Sequence, residues 1–150
     1  MEAVRQIIQQ ETGSIPEQVL ILKGGDINQV FHCLLIDKQF VIKLNNSKQF
    51  PEMFEKESKG LQLLSQSKFI IPKTIAVGTF EKYDYLILEY IAPSKSINWE
   101  TFGQNLAHLH LVSSAQFGLD HDNYIGSLKQ NNTLENNWFD FYSNNRLLEL

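Results

Sequence analysis

Apolar positions change their period several times along the chain, and each change marks an element. Val4, Ile7 and Ile8 recur at helical spacing as far as Gly13, which predicts a short amphipathic helix closed by a glycine cap. After Pro16 the pattern becomes strand-like. Gln18 to Leu22, Val30 to Ile36 and Phe40 to Leu44 are rich in β-branched or aromatic residues, and Asp37-Lys38-Gln39 supplies a tight polar connection between the last two. A three-stranded antiparallel meander is expected. Helical spacing returns from Pro51, a residue suited to a first helical position, with Met53, Phe54, Leu61 and Leu64 forming an apolar face that ends around Ser65. Glu57 lies among them. Thr74 to Phe80 and Tyr85 to Tyr90 predict one further strand pair around the polar turn Glu81-Lys82-Tyr83-Asp84.

Beyond Ala92-Pro93-Ser94, which reads as a hinge, Trp99, Phe102, Leu106 and Leu109 return to helical spacing. Gln116 to Asn137 is rich in Gly, Asp and Asn and predicts a long ordered loop. A last helix is expected from Trp138 through Phe141, Tyr142 and Leu148. The fold class is therefore α+β. Residues 1–91 form a five-stranded antiparallel sheet with one inserted helix, and residues 92–150 hold the hinge and the beginning of a helical lobe.

Composition narrows the functional classes. With 43% hydrophobic and 11% aromatic residues in a chain of 150, one core, or one small lobe and part of another, can be buried. The formal charge of -4 is spread over intermingled acids and bases, which argues against a nucleic-acid surface. An anionic ligand would need a local positive pocket. The single cysteine, Cys33, excludes an internal disulfide and sits in an apolar run that predicts a buried strand residue. The amino terminus has no apolar signal core, and no apolar run approaches the roughly 20 residues of a bilayer span, so a cytoplasmic protein without a membrane partner is expected.

The chemistry centres on Lys43, which ends the run Phe40-Val41-Ile42-Lys43 between an upstream Gly24-Gly25-Asp26-Ile27-Asn28 turn and a downstream helix bearing Glu57. Strand lysines are ordinarily exposed and inert, but a carboxylate amid apolar residues calls for a partner, and a Lys43–Glu57 pair accounts for both. Their order is that of a kinase ATP-phosphate site, where a glycine turn offers backbone N–H groups to phosphates, a strand lysine aims its charge at them and a helix carboxylate fixes the lysine. Paired glycines alone usually mark ordinary turns, and the full G-x-G-x-x-G pattern is missing here. Leu88-Glu89-Tyr90-Ile91 leaves a buried strand for the hinge, where backbone groups of kinase-like folds meet adenine.

Other polar groups carry less. His108 and His110 lie two apart on a helix and do not share a face, so they form no metal site with Asp120, His121 and Asp122. His121-Asp122-Asn123 lacks the spacing of a kinase catalytic loop, and helix periodicity explains Phe139-Asp140-Phe141 better than a metal-binding D-F-G does. No catalytic residue and no metal ligand is assigned.

Several segments, taken in order, resemble the fructosamine kinases, or ketosamine-3-kinases. They are Gly24 to Asn28, Val41 to Asn45, Met53 to Glu57 with Gly60-Leu61, and Leu88 to Ile91. Phe102 to His110, Phe117-Gly118, Asp122 to Gly126, Gln130-Asn131, Trp138 and Arg146-Leu147 continue the likeness. The lysine and glutamate are shared with aminoglycoside and choline kinases, whereas Asp122 to Gly126 with Gln130 and Trp138 is more particular to fructosamine kinases. The resemblance implies a protein-kinase-like N-lobe and transfer of the ATP γ-phosphate to the 3-hydroxyl of a ketosamine, on a small amine or a glycated protein, as deglycation. It implies that Lys43 holds the α/β-phosphates and Glu57 orients it. Gly24, Gly25, Asp26 and Asn28 would cover phosphate, and Leu88, Glu89, Tyr90 and Ile91 would lie at adenine. Asp120, Asp122 and Asn123 are candidates for the substrate side, or for support of the second lobe.

The chain departs from that family in two places. Relatives continue with a His-Gly-Asp catalytic loop and a later metal-binding Asp that would place Mg2+, neither of which occurs in residues 1–150, so negligible turnover is expected of these residues alone. Some relatives also carry a turn cysteine that permits redox pairing, where Asp26 and Ile27 stand here, and no redox switch is expected. The aromatic residues Trp138, Phe139, Phe141 and Tyr142 could favour self-association. Competing readings are another small-molecule kinase of the aminoglycoside or choline type and a non-catalytic, nucleotide-binding half-kinase.

Overall fold

The computed structural model describes residues 1–24 and 27–148. They form two compact units, Met1–Leu63 with Ile71–Pro93, and Leu64–Ile70 with Ser94 onward.

The first unit opens with helix α1 (Glu2–Thr12), ended by Gly13 at φ 74°, the left-handed conformation that the expected cap requires. Strands β1 (Gln18–Leu22), β2 (Gln29–Leu34) and β3 (Gln39–Asn46) follow, then helix α2 (Met53–Leu64) and strands β4 (Thr74–Phe80) and β5 (Tyr83–Glu89). All pairings are antiparallel in the order β1-β2-β3-β5-β4. The meander and the second strand pair thus form as the periodicity predicts. This is the α+β arrangement of a protein-kinase-like N-lobe, with the helix inserted between its third and fourth strands.

Several boundaries move for local reasons. Strand β2 stops at Leu34, and Ile36 is exposed because Leu35 N–H turns back to the Lys38 carbonyl. Pro51 does not begin α2. Pro51 and Glu52 form a turn, with Glu52 at φ 59°, and the helix starts at Met53. Only Met53 and Phe54 of its expected apolar face are buried. The last two strands are joined by Glu81-Lys82 alone, so β5 begins earlier than expected.

Alternation along the strands builds two faces. Val19, Phe31, Cys33, Phe40, Ile42, Leu44, Tyr85 and Ile87 join Val4, Ile7 and Ile8 of α1 in one core. Each fully buried aliphatic side chain contributes about 1.5–3 kcal/mol. Tyr85 also donates its hydroxyl to Glu11 at 2.8 Å, tying the end of α1 to the sheet.

This core makes stability depend on alkaline pH. Burial pushes the Cys33 thiol up to about 12 against the opposing influence of Arg5. Burial, and then the hydrogen bond and charge of Glu11, push the Tyr85 phenol up to about 12 as well. Both groups hold their protons more tightly when folded, so their contribution is complete below the unfolded values near 9 and 10 and is lost as pH climbs toward 12. Urea midpoints should be level to about pH 8 and fall above about pH 9, with a shallower fall in Cys33→Ala/Tyr85→Phe. Equal slopes in the two proteins would contradict this origin.

In the second unit, helix α3 (Trp99–His110) is capped by Asn98, whose side chain accepts from Thr101 N–H at 3.0 Å. Phe69 packs edge-on against Phe102, and Lys68 Nζ lies 3.1 Å from His108 Nε2. The predicted loop from Gln116 to Asn137 contains a small hairpin of β6 (Asn123–Ile125) and β7 (Leu128–Gln130), whose three-residue strands were too short for periodicity to reveal. The predicted last helix is the short α4 (Trp138–Tyr142), continued by a π-helical turn at Ser143–Leu147.

Candidate functional site

Because Phe40, Ile42 and Leu44 face the α1 core, Val41, Lys43 and Asn45 point from the opposite side of β3. The ladders flank Lys43 with Val30 on β2 and the fully buried Leu86 on β5. Helix α2 is anchored by buried Met53 and Phe54 in its first turn, and Glu57 follows one turn later on the same side. Lys43 Nζ lies 2.6 Å from Glu57 Oε1, with the side chains 25% and 28% exposed. A pair that short is charge-assisted, yet its access to water limits its worth to about 0–1 kcal/mol of stability. Its physical effect is to fix the direction of the lysine.

Lys43 forms part of the wall of a cavity of about 390 Å³. Leu22 and Val30 give it an apolar side, Gly24, Ile27 and Asn28 close it from the turn, and Lys23 adds a second cation. Among the described residues two lysines thus share one wall, in a chain of net charge -4. Gly24 has φ 123°, a conformation that side-chain-bearing residues rarely adopt. Space is not the constraint, since a Cβ there would meet nothing within 4 Å. Gly25 and Asp26 lie outside the described residues.

At the other end of the sheet, buried Leu88 pairs with Val41. Glu89 donates its N–H to the Lys73 carbonyl at 2.9 Å and is exposed. That amide is committed to the sheet edge. Tyr90 stacks on His32 with ring centroids 4.0 Å apart, and Ile91 is partly exposed beyond the strand.

In the second unit, the Asp120 carboxylate is solvent-exposed and pairs with His121 Nδ1. Asp122 Oδ1 accepts from Asn132 N–H at 2.9 Å, and Asn123 Oδ1 accepts from Asn132 Nδ2 at 3.1 Å. Asn132, 2% exposed, also donates to the His121 carbonyl and accepts from Arg146 Nη2 at 2.6 Å. Arg146 further donates to the Asn131 carbonyl, so the loop is fastened to the π-helical turn. Among the described residues no three His, Cys, Asp or Glu side chains stand together as a metal site.

Sequence reasoning missed Asn45 and Asn132. Asn45 could have been found from its place two residues after Lys43, on the same strand face. Asn132 had no such signal, because its partners are set by the path of the loop.

The family model described as fructosamine kinase matches residues 1–150. "Probable ketoamine kinase slr1563" of Synechocystis sp. is 35% identical over 153 residues, covering 97% of this chain and 51% of that protein. A "Probable ketoamine kinase" of Enterococcus faecium is 35% identical over 133 residues, covering 87% and 46%. The chain spans about half the length of the curated relatives it matches. Among solved structures, that of a "Putative fructosamine-3-kinase" from Haemophilus somnus 129PT aligns with TM-score 0.82 at 24% identity, over 97% of this chain and 51% of its own. Its counterpart from Thermobifida fusca gives 0.83 at 24% identity, over 99% and 52%. The structural matches establish a shared fold, and the sequence match along the whole chain goes further: the chain belongs to the fructosamine kinase family.

Proposed function

We propose that residues 1–150 are the nucleotide-holding part of an ATP-dependent ketosamine 3-kinase that acts in deglycation of glycated amines or proteins. The observation that carries this reading is Lys43 on the wall of the glycine-turn cavity, held 2.6 Å from Glu57, in a chain of this family. The residues present fit a polyphosphate: two lysines, a turn of unusual backbone freedom and an apolar side shared by Leu22 and Val30.

In this reading Lys43 holds the α/β-phosphates and Glu57 keeps the ammonium from turning away, while Gly24 to Asn28 cover the phosphates. Tyr90 and Ile91 offer backbone groups to adenine, since the Glu89 N–H already serves Lys73. When bound, ATP supplies the phosphoryl group. The loop from Asp120 to Gly126 shapes the acceptor side, with Asp122 and Asn123 acting through its fixed form because Asn132 occupies an oxygen of each. No residue here is assigned as the base for the acceptor hydroxyl or as a magnesium ligand.

The test is substrate profiling of the full-length gene product with ATP and magnesium, beside residues 1–150 alone. A ketosamine should be phosphorylated on its 3-hydroxyl by the full-length protein, with choline and aminoglycosides left unchanged, and the shorter chain should give negligible turnover. Preferential phosphorylation of an aminoglycoside or choline would overturn the ketosamine assignment.

A further inference from the structure

Asn45 is 7% exposed, and its side chain lies where the glycine turn, β3 and the start of α2 meet. Its Nδ2 donates to Asn28 Oδ1 at 3.3 Å and contacts Met53 Sδ at 3.5 Å. The Met53 sulfur can only accept, which favours the Nδ2 of Asn45 on that side, and Asn28 presents its amide oxygen to the same Nδ2. Its Oδ1, buried as well, has no hydrogen-bond partner among the described residues.

A half-satisfied amide in such a place is unfavourable to folding, and an apolar side chain of the same shape would avoid the penalty. What the amide gains is its bond to Asn28. Asn28 immediately precedes Gln29, which pairs with Leu44, so the bond joins the downstream end of the turn to the strand that carries Lys43. We infer that Asn45 is a positioning residue, which holds Asn28, at the downstream end of the glycine turn, in register with Lys43. This deepens the nucleotide-site reading and rests on it for its functional consequence. The Asn45–Asn28 link itself stands on the structure alone.

The experiment is a mutant cycle in the intact chain with Asn28→Ala, Asn45→Leu and the double variant. Asn45→Leu keeps the volume and removes the amide, and Asn28→Ala breaks the same bond from the less buried side. Amide hydrogen exchange without ligand should be about fivefold faster in the turn for either single variant, unchanged in the β3–β5 ladder, and no faster still in the double variant. ATP dissociation constants by calorimetry should rise about fivefold in each single variant, again without further loss in the double. Unchanged turn exchange in Asn28→Ala, or additive effects in the double variant, would overturn the role of Asn45 even if Asn45→Leu failed to fold. A wild-type chain without affinity for ATP would remove the nucleotide reading, and the exchange measurements would still decide the link.

Discussion

Replacing Lys43 with alanine is expected to abolish the rise in melting temperature that ATP with magnesium gives the wild-type chain. At a tenfold excess of ligand over its dissociation constant, binding stabilises the folded state by about 1.4 kcal/mol. For a domain of this size that is a shift of roughly 3–6 °C. The variant itself should melt near the wild-type temperature, because the Lys43–Glu57 pair is a quarter exposed on both sides and adds at most about 1 kcal/mol. The two effects therefore separate. Among the described residues, removing the charge leaves Lys23, an exposed loop residue, as the remaining cation of the cavity wall. Differential scanning fluorimetry with and without ATP checks this, and an undiminished shift in Lys43→Ala would sink the assignment of Lys43 to phosphate.

The largest effect on stability is expected at Phe54. It is completely buried in the first turn of α2, one turn before Glu57, and it is among the largest fully enclosed side chains of the chain. Truncation to alanine removes its apolar contacts and leaves a cavity, at a cost of about 3–5 kcal/mol. That is a large share of the total stability of a domain, about 5–15 kcal/mol. Because Phe54 and Met53 are the only buried side chains of α2, the loss should also loosen the helix that presents Glu57. Urea unfolding should show a lowered midpoint for Phe54→Ala, and ATP should stabilise it less than the wild type; Phe54→Leu should fall between. An unchanged midpoint in Phe54→Ala would show that α2 is held by something other than this anchor.

Much of this is legible in the amino-acid sequence. Runs rich in β-branched and aromatic residues, with polar breaks around them, mark the five sheet strands, because such side chains fit a pleated, partly buried surface. Lys43 and Glu57 could be paired from chemistry alone, since a carboxylate among Met53, Phe54 and Leu61 needs a cation and the strand lysine upstream needs a reason. The hairpin at Asn123–Gln130 and the π-helical turn were not legible. Strands of three residues hold too few positions to show a period, and the turn's geometry depends on hydrogen bonds made by Arg146 and Asn145.

By itself the sequence determined the order of elements, the burial of Cys33, and the identity of the groups that can meet phosphate. These are properties of spacing and of side-chain chemistry, and both are written locally along the chain. Only the tertiary structure decided that Lys43 and Glu57 lie within 2.6 Å, that Lys23 lines the same cavity as Lys43, and that Asn45 reaches Asn28. Each of these contacts joins residues distant in sequence, and their separation is set by sheet register and by where buried Met53 and Phe54 seat the helix.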